Sequence, residues 1–122
     1  MSKLQEYSPR QIHISIFTQC ELFFGLEHID NRKKLHKEQL EKAIQLFIKR
    51  INTLSPDEGF EKAYGIIRAG LVKKGQDIGV IDCMLAAQAI TSNLALVTHN
   101  IKHYQRINTL SGIPKLKLID WL

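Results

Sequence analysis

"IGVIDCMLAAQAITSNLALVTHNIKHY", residues 78–104, contains a helix, a buried strand and the start of another helix in one unbroken run. After Gly79 only Asp82 and Gln88 interrupt the apolar residues up to Ala89, which is the composition of a buried helix. "LALVT" (94–98) is then a short buried strand, and a helical turn through Tyr104 follows. At helical spacing Asp82 shares its face with Leu85, Ala86 and Ala89, so its carboxylate is expected to point toward the core. A charge in that position calls for a reason.

Working outward, "QIHISI" (11–16) alternates Ile12, Ile14 and Ile16 with polar residues at the period of a strand. A helix is expected from near Thr18, carrying Leu22, Phe23 and Leu26. "NRKKLHKEQLEKAIQLFIKR" (31–50) reads as an amphipathic helix, with Leu40, Ile44, Phe47, Ile48 and, just beyond, Ile51 on one side. "SPDEGFEKAYGIIRAGLVKKG" (55–75) offers Ser55 as N-cap, Pro56 in the first turn and Glu58 at the capping-box position, and closes on Lys73, Lys74 and Gly75. "KLKLIDWL" (115–122) is the expected last strand. Strands alternating with helices at these lengths predict an α/β layered fold on a mostly parallel sheet. No linker is visible, so residues 1–122 are read as one domain. "RINTLS" occurs twice, at 50–55 and 106–111, but six residues with unmatched flanks are too few for a structural repeat.

The composition, 44% hydrophobic and 24% charged, is that of an ordinary globular protein. No apolar run approaches the roughly 18 residues of a membrane span, and "MSKLQEYSPR" is too polar for a signal peptide, so a cytosolic location is expected. Cys20 and Cys83 lie in apolar segments without metal-site spacing and are expected to be free core thiols. A net charge of +5 and a pI near 9.3 make a polyanion the first partner to consider. The charge gathers at Arg32–Lys34, Lys73–Lys74 and Lys115/Lys117, which solvated helix ends would explain equally well.

In an open α/β sheet a site lies at the carboxyl ends of the strands. Glu21, Asp82 and Asn100 are each placed in sequence to reach such an edge, and two acids with an amide suit a hard divalent cation that could generate hydroxide near a phosphodiester. Each has a structural reading too. Thr18 and Glu21 form a capping box, Asp82 answers a helix dipole, and His99 and Asn100 are ordinary turn residues. Spacing leaves the choice open.

Together "ISIFTQCELFFGLE", "AYGIIRAGLVKKGQDIGVIDCMLAAQAI" and "LALVTHNIKHYQRI" resemble the PIN-domain ribonucleases, specifically the VapC-type toxins of toxin–antitoxin operons, from about Glu6 to Leu122. The resemblance implies an α/β/α sandwich on a parallel sheet and RNA cleavage with Mg²⁺ or Mn²⁺ held by acids. The family's second acid falls on Glu21, its third on Asp82 and its fourth position on Asn100. Glu21 and Asp82 are the implied metal ligands, and Lys73, Lys74 and Lys102 would hold the RNA backbone. An antitoxin protein and a homodimer are the implied partners. The family's first strand, central in the sheet and carrying its first aspartate, has no counterpart here. The resemblance therefore implies an open slot in the sheet, weak metal binding and low or absent activity, or else a catalytically dead module that captures an antitoxin or RNA.

Overall fold

The computed structural model describes residues 12–120, in two compact units that are taken in turn. In the first, up to Ser55, strand β1 (His13–Ser15) leads directly into helix α1 (Ile16–Glu27). A 3₁₀ turn at Asn31–Lys33 precedes α2 (Lys34–Arg50), and β2 (Asn52–Leu54) pairs in parallel with β1, Ile14 opposite Thr53. Ser15 ends the strand and caps the helix, its Oγ accepting from Phe17 N at 3.1 Å. This cap starts α1 before the expected Thr18, so the Thr18–Glu21 capping box does not form. Ile14, Gln19, Leu26 and Ile44 are buried, with Gln19 Nε2 donating to Thr53 Oγ1 at 2.7 Å. The expected apolar stripe of α2 is only partly covered: Leu40 and Phe47 are exposed. Cys20 is exposed as well, contrary to its expected place in the core, because it lies on the uncovered side of α1. Arg32 pairs with Asp30 at 2.8 Å and holds that carboxyl below its usual range.

The second unit, from Pro56, contains α3 (Phe60–Lys73), α4 (Val80–Thr91), β3 (Leu96–Val97), α5 (Ile101–Gln105), a 3₁₀ turn at Arg106–Thr109 and β4 (Leu118–Ile119). β3 and β4 pair in parallel, with Leu96 N donating to Lys117 O at 2.8 Å and Thr98 N to Ile119 O at 3.0 Å. Among the described residues the strands thus form two parallel pairs, one in each unit. α3 begins at Phe60 after Gly59 in a left-handed conformation (φ 88°), later than the Ser55 cap expected from the sequence. Asp57 is instead engaged with the end of α4, accepting from Ser92 Oγ at 2.8 Å. The helix stops as expected. Gly75 takes φ 68°, and the amides of Gly75 and Gln76 return to Val72 O and Leu71 O.

The core of this unit follows from the spacing of Phe60, Ala63, Ile67 and Leu71, one face of α3. The helix in contact with it, α4, buries the small residues Cys83, Ala86, Ala87 and Ala89, and small side chains let helices approach closely. Burial pushes the Cys83 thiol up, away from reactivity. Ile107 and Leu116 complete the core. Gly70 makes one close approach: a Cβ there would lie 2.8 Å from Leu110 Cδ2, so the Leu110 side chain would have to shift to accept one.

The loop into β4 is held by Asn108, whose Oδ1 accepts from Leu116 N at 2.7 Å while Nδ2 donates to Leu116 O at 3.0 Å. Removing that amide leaves partly buried backbone groups unpaired, which costs about 1–3 kcal/mol. Asn108→Ala is therefore expected to lower the unfolding free energy by that amount, read as a lower urea midpoint with an unchanged dependence on denaturant.

Candidate active site

Asp82 lies in the first turn of α4, where the helix's positive end favours a carboxylate. Gly79 makes the entry possible with φ 98°, its amide donating to Asp77 Oδ1 at 3.0 Å. The Asp82 side chain is 39% exposed, so it stands at the rim of the core and not inside it as its helical face suggested. Two residues of α5 meet it. Tyr104 Oη donates to Oδ1 at 2.9 Å, and His103 Nε2 lies 2.9 Å from Oδ2. An ionised carboxylate can only accept, so in that state Nε2 is the protonated ring nitrogen.

Tyr104 is buried, 6% exposed, and its hydroxyl proton is held far more firmly than usual. Burial is the main cause, followed by the adjacent Asp82 charge and the hydrogen bond to it. The hydroxyl is therefore a fixed donor at physiological pH. A stability effect follows. Above the ordinary tyrosine value of 10.0 the unfolded chain gives up this proton while the folded chain keeps it, so the folded state binds more protons and stability falls as pH rises. Below that pH the contribution is fully present. Urea unfolding between pH 8 and 11 is expected to show a loss approaching about 1.4 kcal/mol per pH unit that disappears in Tyr104→Phe.

Asn100 lies one turn before these residues, exposed, immediately before α5. Its amide donates to Thr98 Oγ1 at 3.0 Å, and its carbonyl accepts from Tyr104 N at 3.4 Å. His99 has the acidic neighbour that the sequence did not suggest, its Nδ1 lying 3.4 Å from Asp120 Oδ1 at the ends of β3 and β4. Lys73 and Lys74 close α3, and Lys102 is exposed on α5. Glu21 belongs to the first unit, exposed on α1 and free of the capping role.

The second unit thus brings together Asp82, His103 and Tyr104, with Asn100 one turn away. His103 and Tyr104 were not among the residues the sequence singled out. The available signal was their position three and four residues after Asn100, which places them on one side of a short helix.

The donors suit a hard cation in kind. A carboxylate offers about four lone-pair sites, of which Asp82 uses two here, and its side chain remains open to solvent. In number they suit one that is held loosely, since no group of three or more His, Cys, Asp or Glu that could hold a metal ion occurs among the described residues. Mg²⁺ commonly binds through one or two carboxylates, keeps several waters and takes further oxygens from a phosphate.

Residues 2–108 match the PIN domain family. The chain is 37% identical to Ribonuclease VapC1 of Haemophilus influenzae (strain R2866) over 97 residues, 80% of this chain and 69% of that protein. It is 33% identical to the tRNA(fMet)-specific endonuclease VapC of Salmonella typhimurium over 108 residues, 88% of this chain and 74% of that protein. Among solved structures, VapBC-1 from nontypeable Haemophilus influenzae superimposes with a TM-score of 0.79 at 32% identity, covering 98% of this chain and 81% of that one. No helix among the described residues is long and apolar enough to cross a membrane.

Proposed function

Since this chain belongs to the PIN-domain family, we propose that it is an endoribonuclease toxin of a toxin–antitoxin pair, dependent on Mg²⁺ or Mn²⁺, with Asp82 at its reacting centre. The observation that carries this reading is the carboxylate of Asp82, held at both oxygens by α5 yet open to solvent at the start of α4. The relatives named ribonuclease and endonuclease supply the substrate class, and the VapBC complex supplies the antitoxin as partner.

In this reading Asp82 is the acid that retains the ion, and Asn100 orients a water or a phosphate oxygen with its side-chain amide. We read Glu21 as the family's second acid, and Glu21→Gln tests its part separately through the rate of metal-dependent cleavage. Asp82 would hold the ion, whose chemistry there would be to lower the pKa of a bound water and to neutralise charge on the leaving oxygen. The chain's own groups do the rest. Tyr104 keeps its proton and fixes one oxygen of Asp82, His103 fixes the other, and Lys73, Lys74 and Lys102 hold the RNA backbone by charge.

The test is to incubate the purified, folded protein with a structured RNA and Mg²⁺ or Mn²⁺, and then with EDTA. Cleavage that needs the metal is the expected result. A specific observation favours a second reading, a PIN-like module that binds RNA or an antitoxin without cutting: no cluster of three metal-binding side chains occurs among the described residues. A folded protein that cuts nothing under any of these conditions, yet captures an antitoxin, would establish that reading instead.

A further inference from the structure

The spacing of His103 and Asp82 has a second meaning beside the hydrogen bond. Nε2 lies 2.9 Å from Oδ2, and two ligands at right angles on one ion, each ~2.1 Å from it, stand ~3.0 Å apart. The pair therefore has the bite of two neighbouring positions of an octahedron.

Both groups are held in that arrangement. His103 packs edge-on against Tyr104, ring centroids 5.4 Å apart at 87°, and Tyr104 is itself buried with its hydroxyl on Oδ1 of the same carboxylate. Oδ1 is thus already engaged, and Oδ2 is the oxygen that His103 shares. The side chains are 23% and 39% exposed, so an ion from solvent reaches the pair. His103 Nδ1 makes no hydrogen bond among the described residues, so it is able to carry the proton of a neutral ring whose Nε2 is given to an ion.

A nitrogen ligand changes which ion a site prefers. Mg²⁺ takes oxygen and dehydrates reluctantly, whereas first-row transition ions accept imidazole readily. Among the described residues no three His, Cys, Asp or Glu gather to hold an ion, so in the second unit a single nitrogen weighs heavily.

We propose that Asp82 Oδ2 and His103 Nε2 together hold one first-row transition ion, and that the imidazole makes this site prefer such an ion to Mg²⁺. That a cation comes to Asp82 at all rests on the nuclease reading. On binding, the Nε2 proton goes to solvent, and about four octahedral positions are left to water and phosphate oxygens.

The probe is Mn²⁺ against Mg²⁺ on the full, tag-free chain without RNA. Mn²⁺ is the weakest binder of the transition series and so the most stringent choice. The electron paramagnetic resonance signal of free Mn²⁺ gives its affinity, and competition gives that of Mg²⁺. Mn²⁺ is expected to bind about tenfold or more tighter than Mg²⁺, and spin-echo spectra of bound Mn²⁺ to show modulation from an imidazole ¹⁴N. His103→Gln still offers Asp82 a hydrogen bond but no imidazole. It should reduce the preference to about threefold or less and remove the modulation. His103→Asp, an all-oxygen pair, should bind Mg²⁺ at least as well as the parent.

An equal loss for both ions in His103→Gln would overturn the proposal, because a partner that only orients the carboxylate affects both alike. So would parent spectra without ¹⁴N modulation, a measurement that does not depend on the variant folding. The nuclease reading fails separately: nitrogen-bound Mn²⁺ with no RNA cleavage removes that reading and leaves the site standing. Metal-dependent cleavage with the same preference in parent and His103→Gln does the reverse.

Discussion

Asp82→Asn is expected to lower RNA cleavage by about a hundredfold or more, the scale of losing a group that acts on the reacting atoms, while the protein stays folded. The substitution is nearly isosteric. Its amide oxygen can still accept from Tyr104, and the side chain it replaces is 39% exposed, so little packing is lost. What disappears is the negative charge, and with it the attraction for a divalent cation and the charged acceptor facing His103 Nε2. Initial rates on a labelled RNA, read beside a thermal melt of the same preparation, separate the two effects. Cleavage within twofold of the parent would remove Asp82 from the chemistry.

The largest effect on stability is expected at Ile67. It is fully buried in the middle of α3, with Leu71 one turn on and the small residues of α4 in front of it. Ile67→Ala removes three carbons from a wall that cannot collapse inward, and such truncations cost about 2–5 kcal/mol. Against a total of about 5–15 kcal/mol for a domain of this kind, that lowers the melting temperature by roughly 10 °C or more. Ile67→Val should cost about 0.5–1.5 kcal/mol. Equal effects of the two substitutions, measured by urea unfolding, would mean that α3 does not pack as described.

The α/β alternation was legible because the helix and strand periods are local. β1, α3, α4, β3 and β4 all fall within the stretches whose spacing predicted them. β2 was not legible. The hexapeptide "RINTLS" forms it at 50–55, paired with β1, yet the same six residues at 106–111 make a 3₁₀ turn held by Asn108. Identical local propensity gives two structures, so the partner decides. The start of α3 was misplaced for a similar reason: Asp57 hydrogen-bonds Ser92, 35 residues away, and Gly59 opens the helix in place of Ser55.

At the candidate site Asp82 stood out because a charge interrupted an apolar helix. His103 and Tyr104 did not, since they lie 21 and 22 residues further on and reach Asp82 only through the fold. Lys73 and Lys74 were evident as charge, but the hydrogen bonds of Lys74 to Thr109, 35 residues further on, were not.

The most direct test of the central claim, that Asp82 marks the reacting centre, is to titrate Mn²⁺ into the ¹⁵N-labelled protein and follow paramagnetic broadening of the amide signals. With Asp82 at the reacting centre, Asn100, His103 and Tyr104 and the first turn of α4 broaden first, EDTA restores them, and Asp82→Asn abolishes the effect. Broadening confined to other residues, or unchanged in Asp82→Asn, would contradict it.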